Sequence, residues 1–133
     1  MKNKKIITPF HSPSTEVGYW ENFKIQSIIP TATDKNLRYY LMEFTADLMV
    51  NDENCQNYGG RVIWDNIEKV FYNYRLSGGL PYTKLFTSSL GINYYLDITD
   101  GYIPITLINY INEVTKRDNL KNSIERMIVD EML

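Results

Sequence analysis

Tyr94-Tyr95-Leu96-Asp97-Ile98-Thr99-Asp100-Gly101-Tyr102-Ile103-Pro104-Ile105-Thr106-Leu107 is the stretch on which the fold reading turns. It sets Asp100-Gly101 between two alternating runs, the strongest short-range sequence signal for a β-hairpin. A two-residue turn there pairs Ile98 with Ile103, Leu96 with Ile105 and Tyr94 with Leu107. Strand side chains alternate with period two, so these six share one face. Tyr95, Asp97, Thr99, Tyr102, Pro104 and Thr106 take the other. Pro104 has no ladder donor, which puts the returning strand at a sheet edge.

Downstream, Leu107, Ile111 and Val114 recur at helical spacing, and Asp118 can recap a segment carrying Leu120, Ile124, Met127 and Ile128. Upstream, Asp65-Asn66-Ile67-Glu68 has the form of a capping box, followed by an apolar stripe of Ile67, Val70, Phe71 and Tyr74. The spacing predicts a helix stopped before Gly78-Gly79, then a short helix from Pro81 to Leu90 ending at Gly91. Leu37 to Val50 fits both periods. Its polar start at Thr33-Asp34 and its fourteen-residue length favour helix over the competing alternation of Met42, Phe44, Ala46, Leu48 and Val50. Asn51 to Gly60 reads as a loop, and Phe23 to Ile29 as a strand stopped at Pro30. Residues 1–22 read as irregular, with Ile6-Ile7 available to a sheet edge. The expected architecture is α+β: one small domain over residues 1–133, helices packed with the hairpin 94–107 and a carboxy-terminal helix. The element order also permits a winged-helix arrangement.

The chain has 133 residues, 44% of them hydrophobic and 23% charged, which fits a soluble globular domain with a real core. Its formal charge of −2 gives no global field toward nucleic acid or acidic membrane. The apolar run after the basic start Met1 to Lys5 is too short for a signal peptide, and no run approaches a membrane span. A cytoplasmic location is the expectation, with no membrane partner.

No residue pattern supports catalysis, and no cofactor is expected. His11 is the single histidine and Cys55 the single cysteine. Nothing links the two as base and nucleophile, and neither has neighbours at metal-ligand spacing. The carboxylate pairs Glu16 and Glu21, Asp52 and Glu53, and Asp97 and Asp100 read as solvated loop groups. Gly59-Gly60 and Gly78-Gly79 lack the Lys-Ser/Thr ending of a phosphate loop.

Two non-enzymatic functions fit. The first is a cytosolic protein that binds and blocks a macromolecular partner, of the inhibitor, immunity or phage anti-defence type. Its contact residues would be Tyr95, Asp97, Asp100 and Tyr102 on the outer hairpin face, an aromatic patch with an acidic edge suited to a basic nuclease or defence protein. The second is a winged helix-turn-helix DNA-binding regulator of a phage or mobile element, reading a groove with Thr83, Lys84, Thr87 and Ser88. Arg61, Lys69, Arg75 and Lys84 against Asp65 and Glu68 support it, but the acidic wing tip opposes it. The carboxy-terminal helix could form a homodimer.

Overall fold

The computed structural model describes residues 5–7, 18–79 and 81–132. The chain folds as β1 (Lys5–Ile7), β2 (Gly18–Ile29), β3 (Tyr39–Val50), β4 (Glu53–Asp65), β5 (Val70–Tyr72), β6 (Tyr74–Arg75), β7 (Lys84–Thr87) and β8 (Asn93–Leu96), then α1 (Ile105–Arg117) and α2 (Lys121–Met132). A five-stranded sheet runs β1-β4-β3-β2, with β5 also paired to β4, and a three-stranded sheet runs β6-β8-β7. All pairings are antiparallel except that of β1 with β4. This β-rich architecture replaces the expected α+β arrangement of helices packed on a hairpin, and with it the winged-helix order.

Leu37 to Val50 holds the whole of β3, not a helix. The strand is flanked on both sides, by β2 and β4, and every second side chain from Tyr40 to Leu48 enters the main core. Pairing on two sides over twelve residues outweighs a helical preference that amounts to tenths of a kcal/mol per residue. The expected loop from Asn51 to Gly60 shrinks to a turn. Asn51 and Asp52 both adopt left-handed backbone, with φ of 53° and 62°, as a two-residue hairpin turn requires, and β4 starts at once.

The capping box is the turn of a hairpin instead, closed over five residues. The Asp65 carboxylate does accept from the Ile67 and Glu68 N–H groups, at 2.9 and 3.2 Å, the local chemistry that the sequence advertises. Lys69 then adopts φ 61° and donates its N–H to the Asp65 carbonyl at 2.8 Å, turning the chain back as β5. Residues 81–90 likewise hold β7, not a helix.

A hairpin exists close to the expected one but earlier. β7 and β8 pair Phe86 with Tyr94 and Thr87 with Asn93, and Gly91, at φ 84°, closes the connection. The Asp100-Gly101 turn serves another purpose. Asp97 accepts from the Thr99 N–H and hydroxyl, and a side chain at position 101 would overlap the Asp97 carboxylate. Asp100 accepts from the Ile105 N–H at 2.6 Å and so satisfies an orphan donor at the start of α1. The stretch 94–107 is therefore strand, loop and helix start. Of its six supposedly inward residues, Tyr94, Ile103 and Leu107 are buried, whereas Ile98 is 77% exposed.

Alternation divides the large sheet between two cores. Tyr40, Met42 and Phe44 of β3 and Val62 and Trp64 of β4 face Ile103, Leu107, Ile111, Ile124 and Ile128. Tyr39, Leu41 and Ile63 point the other way, onto Tyr74, Phe86 and Tyr94 of the small sheet. There Tyr39, Phe86 and Tyr94 stack face to face, with centroids 5.1 and 4.7 Å apart. The outer edge of β5 is closed by α1: the Asn112 amide accepts from the Phe71 N–H at 2.7 Å and donates to the Phe71 carbonyl at 2.9 Å.

Candidate binding surface

With Phe86, Tyr94 and Tyr74 turned into the core, the alternate residues of the small sheet face outward. Tyr95 sits opposite both Arg75 and Lys84 in the strand register. Its ring covers Gly78 so closely that a Cβ there would overlap the ring carbons. Gly79, at φ 96°, turns the chain away, and Tyr82 donates its N–H to the Gly79 carbonyl at 2.8 Å. This turn brings the Tyr82 ring under the Arg75 guanidinium, 3.9 Å from its centroid. Arg75 is held there by a hydrogen bond from Nε to the Ser77 carbonyl at 3.1 Å. The result is two half-buried tyrosines interleaved with Arg75 and the exposed Lys84.

The structure separates the four residues expected on one acidic, aromatic face. Tyr95 lies on the outer side of the small sheet. Tyr102 lies inward, against both cores and 5.5 Å from the Tyr74 ring. Asp97 is buried, and Asp100 binds the start of α1. The physical reason is the missing hairpin: without strand pairing across Asp100-Gly101, no shared face exists. Of the residues assigned to a DNA groove, Thr83 and Lys84 are exposed, Thr87 donates its hydroxyl to Asn93 at 2.7 Å, and Ser88 is fully buried, accepting from the Ile92 N–H. They lie along a strand and its turn, so no recognition helix presents them.

Arg75 and Tyr82 were not anticipated as site residues. The signal was present in Gly78-Gly79 and Pro81, which mark a turn here and not helix boundaries. His11 lies outside the described residues, as does the side chain of Cys55. Among the described residues, no three His, Cys, Asp or Glu side chains gather where they could hold a metal ion. No helix among them is long and apolar enough to cross a membrane. No family model, curated protein or solved structure matches the chain.

The contact between Tyr95 and Gly78 gives a direct prediction. Gly78→Ala keeps the Tyr95 side chain but forces its ring off the turn. The Tyr95 ring signals in an NMR spectrum should shift and broaden, while the buried Tyr94 and Phe86 signals hold. Unchanged Tyr95 signals would show that the ring does not rest on this glycine.

Proposed function

We propose that the protein is a non-enzymatic cytosolic binding protein that occupies an acidic surface of a protein partner through Tyr82, Tyr95, Arg75 and Lys84. The carrying observation is that the patch is already ordered: Tyr95 rests on Gly78, and Arg75 is fixed between Tyr82 and the Ser77 carbonyl. Tyrosine and arginine dominate binding hot spots, and groups ordered in advance lose little entropy on association. The two cations have no carboxylate opposite them in the strand register, which favours an acidic partner rather than a basic one. The reading keeps the blocking role expected from the sequence and reverses the charge of the partner.

The test is capture from a nuclease-treated extract of the native host, comparing the parent chain with a Tyr82→Ala, Tyr95→Ala double variant. The half-exposed rings should leave the urea midpoint nearly unchanged, while a stoichiometric protein retained by the parent is lost. Centrally placed anchors of this kind carry about 2 kcal/mol or more each, so retention should fall at least 30-fold. Lys84→Glu should slow association most strongly at low salt. Capture that depends on intact nucleic acid, or that survives the double variant, would overturn the proposal.

A further inference from the structure

Beside the small sheet, β4 carries two glycines at the middle of a thirteen-residue strand. Glycine weakens a strand interior and there often marks a close approach by another group. Gly60 has a packing reason, because a Cβ would press on the Phe44 ring at 3.2 Å. Gly59 has none among the described residues: its backbone is not left-handed, and a Cβ would meet none of their atoms within 4 Å. The missing side chain instead opens a groove of roughly 450 Å³, walled by Tyr74, Leu76 and Tyr102. That volume is typical of small-molecule sites.

A second observation is independent of the glycines. Tyr74 lines this groove and is only 7% exposed, yet its hydroxyl has no hydrogen-bond partner among the described residues. The ring is buried while the hydroxyl oxygen itself keeps some exposure, so it is open to a group in the groove. On the rim, Arg61 and Glu43 face each other across β4 and β3, half exposed and loosely paired at 3.9 Å. The groove therefore offers an apolar floor, the Tyr74 hydroxyl beside the hydrogen-bonded pair Gln26 and Thr45, one cation and one anion.

We propose that this groove binds a small aromatic zwitterion of the α-amino acid type, its ring over Gly59 and its carboxylate taken by Arg61 and the Tyr74 hydroxyl. Its ammonium group meets Glu43. A purely anionic ligand would be repelled by Glu43, and a purely cationic one by Arg61. Burial pushes the Tyr74 hydroxyl up to about 12, so it remains a donor at neutral pH.

The probe set is L-tryptophan, indole-3-acetate and tryptamine, titrated against the full chain and followed by amide NMR shifts. L-tryptophan should move the Gly59, Arg61 and Tyr74 amides and bind at least fivefold more tightly than either singly charged analogue. Gly59→Leu fills the groove at a strand position where leucine is tolerated, and should abolish those shifts without lowering the urea midpoint. Tyr74→Phe removes one hydrogen bond and should weaken binding about fivefold. No shifts with L-tryptophan, equal affinity for all three probes, or unchanged shifts in Gly59→Leu would each overturn the proposal.

Discussion

Ile103→Asp should unfold the protein, whereas Ile98→Asp should leave its stability within about 0.5 kcal/mol of the parent. Ile103 is fully buried beneath α1 among Leu107, Ile111 and the large sheet. Replacing it forfeits about 1.5–3 kcal/mol of apolar burial. It also puts a carboxylate where nothing pairs with it, at a further cost of several kcal/mol. Together these approach the whole stability of a small domain, about 5–15 kcal/mol. Ile98, five residues earlier, is 77% exposed in the loop before α1. A hairpin across Asp100-Gly101 would bury both residues on one face and make both changes severe. Urea unfolding of the two variants therefore separates the two arrangements. A large loss in Ile98→Asp would contradict the loop described above.

Arg38→Met should destabilise the protein at neutral pH by about 3 kcal/mol and change how its stability responds to acid. Arg38 holds the fully buried Asp65 with two hydrogen bonds, Nε at 3.0 Å and Nη2 at 2.9 Å. Burial alone would raise the Asp65 carboxyl. Hydrogen bonds from Arg38 and from the Ile67 and Glu68 N–H groups outweigh it, leaving the carboxyl below its ordinary value. In the parent this contribution is present above the unfolded carboxyl value, near 3.8, and is lost as pH falls through the lower folded one. Methionine keeps the aliphatic stem but strands the carboxylate. The Ile67 and Glu68 N–H groups still reach the carboxylate, which keeps the cost at the lower end of that for a broken buried pair. Desolvation then prevails, the folded carboxyl rises above its unfolded value, and the variant should regain stability as pH falls from 7 toward 4. Urea midpoints across that range test the sign. A variant with the parent's acid response would show that Asp65 does not depend on Arg38.

The parts of the fold legible in the sequence are those whose local signal had no competitor. Phe23 to Ile29 is strand and stops at Pro30, Ile6-Ile7 joins a sheet edge, and the carboxy-terminal helices follow the spacing of Leu107, Ile111, Val114, Ile124 and Ile128. Elsewhere the same residues served two patterns. Asp65 makes the hydrogen bonds of a helix cap, and only the left-handed Lys69 four residues on decides for a turn. Ile103 alternates with Ile105 as a strand would, but Pro104 caps α1, and from Ile105 on the chain takes the helical period that buries Leu107, Ile111 and Val114. The candidate surface was half visible. Tyr95 and Lys84 each stand out in the sequence, for different surfaces, and only the pairing of β8 with β6 and β7 brings them together with Arg75. That pairing spans some twenty residues of chain, and no periodicity encodes it.

Asn112 shows how the large sheet ends. Its carboxamide, carried by a helix, copies the donor and acceptor of a neighbouring strand and occupies both backbone groups of Phe71. A naked strand margin is a template on which like molecules add, and so a route to fibrils. Here the template is occupied from within the same chain, by a group that cannot itself be extended. The ladder is terminated at this margin as a polymer is by a chain-stopper, and protection from templated growth at β5 rests on one amide.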